Sequence, residues 1–251
     1  MSGHSKWSTI KRKKGAADAK RGQVFTRLAK EIAIAAREGG GDLDANFKLR
    51  LAIDRARKEN MPKENIERAI KRGTGEDKSG GEIERITYEG YASNGIAVMI
   101  DCLTENRNRT VAEIRHALTH GGGNMAEVGS VSWQFNHSAY FAIDAKGMDF
   151  DRIFELAVEH NADDITTDDV TIEIYAPLDS FKAISDSLKE AGIELEEAIL
   201  EFVPKQEITL DTEKTLKVMR VIEDLEDLDD VQNVYSNLHI TDDALKELEV
   251  E

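Results

Sequence analysis

The string Gly3-His4-Ser5-Lys6-Trp7-Ser8-Thr9-Ile10-Lys11-Arg12-Lys13-Lys14 combines clustered cations with an indole and three hydroxyls. Cations neutralise phosphates and release their counterions, hydroxyls donate to phosphate oxygens, and an indole stacks on an unpaired base. Lys20, Arg21, Arg27 and Lys30 carry the positive charge onward, and Asp18 is the only acid before Glu31. The chemistry such a pattern supports is docking on a polyanion. The plainer readings are a solvated basic tail or, for Lys11 to Lys14 alone, a nuclear localisation signal. The candidate nucleic-acid contacts are Lys6, Trp7, Lys11, Arg12, Lys13, Lys14, Lys20, Arg21, Arg27 and Lys30.

Other chemistry-bearing residues point nowhere as specific. His116 and His120 stand four apart, as zinc ligands on a helix do, but no Glu follows His116 in the metalloprotease pattern and no third ligand is evident. The run Gly121 to Gly129 invites a phosphate-cradle reading, yet it lacks the Gly-Lys-Ser/Thr ending and follows a helical pattern instead of opening one. Cys102 has no cysteine partner and reads as a small apolar residue of a strand in a reducing compartment. The many carboxylates beyond residue 79 form no nucleophile–base or metal-binding spacing and read as a solvated acidic face. The expectation is a protein that is not an enzyme and has no metal, cofactor or small-molecule substrate.

Charge sharpens the first reading. The net charge of −16 hides two opposite parts: residues 1–78 hold 20 Lys and Arg against 11 Asp and Glu, a net +9, and the remainder holds 13 against 38, a net −25. A dipolar chain is repelled by phosphate except where its basic end leads, so it approaches a polyanion in one orientation. No apolar run exceeds the length of Ile96 to Ile100, too short to span a bilayer, and Met1 to Lys14 lacks the apolar centre of a secretory signal. A cytoplasmic location with no membrane partner is expected.

Apolar spacing then places the elements. Val24, Leu28, Ile32 and Ala36 fall at four-residue steps in a helix that stops at Gly39-Gly40-Gly41; a second helix covers about Ala45 to Glu59, and a third runs from Pro62 to Gly73. The Gly- and charge-rich stretch 73–82 reads as a linker. Beyond it, Ile83 to Tyr91 and Ile96 to Leu103 flank Ser93-Asn94-Gly95, a hairpin signal. A helix from about Arg109 follows, then a short strand through Val131, Trp133 and Phe135. From Ser138 to Pro204 the order is strand, helix, strand, strand, helix, strand, a complete split βαβ unit. The last helix, with Val218, Val221, Ile222 and Leu225, and the strand Val231 to Leu238 are expected to close the sheet begun at Ile83, and Asp242 to Glu251 to fray. The fold class is thus α+β: a basic helical domain (1–78), a middle α/β domain (79–137 with 205–251), and a ferredoxin-like βαββαβ domain (138–204) inserted in it.

The opening GHSKWSTIKRKKGAADAKRGQVFTRLAKEI closely resembles the start of the YebC/PmpR family of probable transcriptional regulatory proteins, which includes mitochondrial translational activators. Further matching strings are ENMPKENIERAIKRGTG at 59–75, Tyr88-Glu89-Gly90-Tyr91, Asp101 to Thr110, GGGNMAEVGSVSWQF at 121–135, and Val231-Gln232-Asn233-Val234-Tyr235. The resemblance implies a three-domain regulator that binds DNA through its basic amino-terminal domain. The other activity it implies is that of a ribosome-associated translation factor, with ribosomal RNA and the ribosome as partners. It also makes Asn124 and Met125 candidates for contact with RNA or a protein partner.

Overall fold

The computed structural model describes residues 18–77, 81–168 and 170–250. The amino-terminal unit is three helices, α1 (Asp18–Gly39), α2 (Phe47–Lys58) and α3 (Lys63–Gly73). Their apolar stripes meet in one core of Leu28, Ile32, Ala36, Leu49, Ile53, Ile66 and Ala69. Gly40 takes φ +81°, which ends α1. The buried Asn46 caps α2 by accepting from the Leu49 N–H and donates its amide to the carbonyls of Ala35 and Gly40, pinning the turn between the helices.

In the middle unit β1 (Glu84–Tyr91) and β2 (Ala97–Thr104) form an antiparallel hairpin. Asn94 and Gly95, at φ +61° and +74°, make its turn with the left-handed pair that matches strand twist. The helix α4 (Arg107–His120), capped by Asn106, follows. The two-residue β3 (Asn124–Met125) lies on the outer edge of β1, and β9 (Val231–Ser236) lies on the far side of β2, giving the order β3-β1-β2-β9. On one face α4, α7 (Thr212–Glu226) and α8 (Asp242–Val250) bury Val98, Ile100, Ile114, Leu118, Val218, Ile222 and Leu225. Cys102 sits in this core, where burial pushes its thiol well above the usual range.

Between β3 and β9 the chain makes a second sheet: β4 (Phe135–Asp144), α5 (Phe150–Glu159), β5 (Asp164–Thr167), β6 (Thr171–Pro177), α6 (Phe181–Glu190) and β7 (Glu197–Pro204). The order β5-β6-β4-β7, antiparallel throughout, is that of a ferredoxin-like split βαβ unit. Its core is Phe141, Ile143, Ile153, Ile174, Ile184 and Leu188. Short parallel strands β8 (Ile208–Thr209) and β10 (Leu238–His239) mark the return to the middle unit. The architecture is α+β, with the second sheet unit inserted in the first.

Two segments differ from expectation. Residues 131–134 are not a strand: Ser132–Gln134 form one helical turn and the strand begins at Phe135, because the N–H groups of Val131 and Ser132 go to a side-chain carboxylate instead of a neighbouring strand. Asp242–Val250 form a helix instead of fraying, because Ala244 and Leu245 insert into the middle core; Glu251 lies outside the described residues.

The three units share contacts. Ala33 and Ile34 of α1 pack on Ile83 and Leu103, and Phe47 of α2 meets Phe181 edge-on at 5.5 Å between ring centroids.

Candidate nucleic-acid interface

Of the candidate contacts, Lys6, Trp7, Lys11, Arg12, Lys13 and Lys14 lie outside the described residues, and the Lys20 side chain is not described. Arg21 is exposed at the start of α1. Arg27 and Lys30, six and nine residues further along α1, point into the protein. The carbonyls at the end of α7 and in the turn after it lie at the negative end of the helix dipole. Gln23 donates to the Asp227 carbonyl, Arg27 to that of Glu226, and Lys30 to that of Asp229 at 3.0 Å. Burial lowers the Arg27 guanidinium pKa, opposed by the charges of Glu226, Asp227 and Asp229.

Lys30 is only 8% exposed, and its ammonium lies 2.6 Å from Asp230 Oδ1. The other oxygen of Asp230 accepts from Arg109 at 2.7 Å, Thr110 Oγ1 at 2.8 Å and Thr104 Oγ1 at 3.0 Å. Burial alone raises this carboxyl; the hydrogen bonds from Arg109, Lys30 and Thr110 outweigh it and hold the group at about 2. Arg27 and Lys30 therefore seat α1 against the middle unit in this structure, and their cations are turned away from the surface. The carboxylate run 227–230 had read as solvated; Asp230 within it is 1% exposed and fully engaged. Sequence alone carries no sign of this, because an acid at the end of a helix and one at a buried junction have the same spelling.

The segment after α4 forms a second built feature. A Cβ on Gly121 would stand 2.1 Å from Val221 Cγ2, and one on Gly123 would stand 2.2 Å from the Tyr91 carbonyl, so the glycines allow close packing of α4 on α7 and of the loop on β1. Asn124 is exposed and turns its amide to the Met125 carbonyl, while Met125 packs part-buried against the middle core. The described residues contain no cluster of three metal-ligating side chains, and the rings of His116 and His120 stack at 6.1 Å.

Glu89 on β1, whose place in Tyr88-Glu89-Gly90-Tyr91 gave no hint of its role, organises the rest of this loop. Its buried carboxylate accepts from the N–H of Gly129 at 2.8 Å, Val131 at 2.6 Å and Ser132 at 3.0 Å. Burial acts to raise the Glu89 carboxyl, and these donors more than offset it, so it lies below the usual range. The Ser130 carbonyl accepts from Tyr91 Oη and Trp133 Nε1, and Lys205 Nζ donates to the Trp133 carbonyl at 2.7 Å. The loop so fixed displays Val128, 91% exposed, and Trp133, 66% exposed.

A basic helical unit bound across an acidic helix end, followed by two nested α/β sheets, defines a three-unit α+β protein with segregated charge. The family of the TACO1/YebC protein N-terminal domain matches residues 5–76, and that of the TACO1/YebC second and third domain matches residues 83–238; the chain belongs to the TACO1/YebC family. It is 47% identical over 248 residues to a probable transcriptional regulatory protein of Trichlorobacter lovleyi, covering 99% of this chain and 100% of that one. A protein of the same description from Syntrophus aciditrophicus is 48% identical, with 99% of each chain covered. The crystal structure of the conserved hypothetical protein Aq1575 from Aquifex aeolicus superposes with a TM-score of 0.81 at 39% identity, covering 90% of this chain and 93% of that one.

Proposed function

We propose that this protein is a non-enzymatic transcriptional regulator that binds DNA through its basic amino-terminal unit. The observation that carries the reading is the segregation of charge, +9 before residue 79 against −25 after it. The relatives described as probable transcriptional regulatory proteins support the regulatory role. Lys6, Trp7, Lys11, Arg12, Lys13, Lys14, Lys20 and Arg21 make the phosphate and base contacts; Arg27 and Lys30 act one step back, holding α1 on the carbonyls of Glu226 and Asp229 and on the Asp230 carboxylate. Asn124 and Met125, in the edge strand β3 of the middle unit, are a second candidate contact for RNA or a protein partner. Described residues include no helix long and apolar enough to cross a membrane, and the regulator works in the cytoplasm.

The test is binding of the full chain to labelled promoter fragments between 50 and 200 mM salt, with and without alanine at Lys11, Arg12, Lys13 and Lys14. A protein contacting six to ten phosphates loses roughly 10³ to 10⁵ in affinity over that range, and removing four contacts flattens the dependence. Salt-independent binding overturns the reading. Cosedimentation with ribosomes without promoter enrichment in cells replaces it with the ribosome-associated alternative.

A further inference from the structure

The loop fixed by Glu89 exposes an indole on a rigid support. The Trp133 Nε1–H is already donated to the Ser130 carbonyl at 3.0 Å, so what the exposed ring has left to offer a partner is aromatic surface. The backbone beneath it is held from both sides, by Glu89 on the N–H groups of Gly129, Val131 and Ser132 and by Lys205 on the Trp133 carbonyl. Val128, in the same clamped loop, adds a second exposed apolar group. Exposing a Trp and a Val forgoes burial of apolar area, and a stiff support lowers the ordering cost of binding, a combination suited to recognition.

An aromatic face takes either a flat ring or a cation. The charge beside this one decides between them. Lys205 places its ammonium 2.7 Å from the Trp133 carbonyl, is exposed, and has no carboxylate in ion-pair distance among the described residues. A positive charge there repels an incoming Arg or Lys and attracts a phosphate. We infer that Trp133 and Lys205 form a site for one unpaired nucleotide, its base stacked on the indole and its phosphate against the ammonium.

The site rests on the nucleic-acid reading above and extends it: the bound polynucleotide presents an unpaired base to the middle unit. One cation on an acidic body is a weak anchor, so the site acts on a strand already held elsewhere on the protein.

The experiment uses the full chain carrying Trp7→Phe, in which Trp133 is the only tryptophan. Indole emission and the anisotropy of labelled dT12 are followed together at 50 mM salt, with a nona-arginine peptide as the competing probe. Stacking predicts that dT12 quenches the emission, that Trp133→Ala in the same background weakens binding roughly tenfold while Trp133→Phe largely restores it, and that Lys205→Ala lowers the salt slope by about one. If dT12 binds by anisotropy with unchanged emission and the Trp133→Ala protein binds as tightly, the site is wrong and the nucleic-acid reading stands. Quenching by the peptide and not by dT12 assigns the loop to a basic protein partner and overturns the proposal. Should neither dT12 nor duplex DNA bind the wild-type chain, both readings fall.

Discussion

Asp230 Oδ1 and Lys30 Nζ, two hundred residues apart in the chain, meet at 2.6 Å in the interior, where the amino-terminal helix crosses the entrance to the last long strand. Removing one partner of a buried pair strands the other charge, so Asp230→Asn is expected to cost about 3–5 kcal/mol and Lys30→Met a similar amount. The double substitution is expected to cost less than the sum of the two, read as a coupling energy from urea unfolding.

The same carboxylate sets an acid limit. Its pKa is lowered to about 2 in the folded chain from an ordinary 3.8, so its contribution is fully present above pH 3.8 and is lost as pH falls towards 2. That window is worth about 2 kcal/mol, and Asp230→Asn removes it. A urea midpoint with the same acid dependence in both proteins contradicts the assignment.

Glu201 on β7 behaves oppositely. Burial, then the charges of Glu197 and Glu173, push its carboxyl up to about 8. The folded chain keeps a proton that the unfolded chain sheds above pH 4.5, so this group lowers stability steadily as pH rises from 4.5 to about 8. Glu201→Gln is expected to raise Tm at pH 9 relative to wild type and to leave Tm at pH 4 nearly unchanged. Equal shifts at the two pH values would falsify the account.

Gly121→Ala puts a methyl 2.1 Å from Val221 Cγ2. Overpacking of this kind costs about 1–3 kcal/mol. Val221→Ala in the same chain removes the obstructing methyls, and the double variant is expected to be more stable than Gly121→Ala alone. Loss of helix content with no such rescue would place the cost in the backbone instead.

Glu89→Gln keeps the shape of the loop anchor but leaves one acceptor oxygen for three N–H donors. Stability is expected to fall by about 1–3 kcal/mol, with faster hydrogen exchange at Val131 and Ser132 and little change at β4. Uniform acceleration across the molecule would mean that Glu89 supports the whole fold and not this loop.

The elements were readable where one period dominates. Helix spacing at Leu28, Ile32 and Ala36 and the Asn94-Gly95 turn specify local backbone directly, and the strand beginning at Val231, with no partner near it in sequence, pairs with β2. Boundaries slipped where a side chain competes with the ladder, as at Val131, or where a mostly acidic segment hides two apolar residues in the right phase, as at Ala244 and Leu245. The candidate interface was legible only as charge. Which cations face outward depends on long-range packing, and Lys30 looks like Lys20 until Asp230 arrives from the other end of the chain.

The nesting of the sheets fixes an order of completion. All four strands of the inserted unit are present once residue 204 has been synthesised, whereas the sheet that hosts it lacks its β9 edge until residue 236. A chain emerging from the ribosome can therefore finish the inner unit while its host still exposes the backbone of β2. The long loop that the host must close to recruit β9 is by then a folded body and not a flexible tether, which shortens the effective span of that closure.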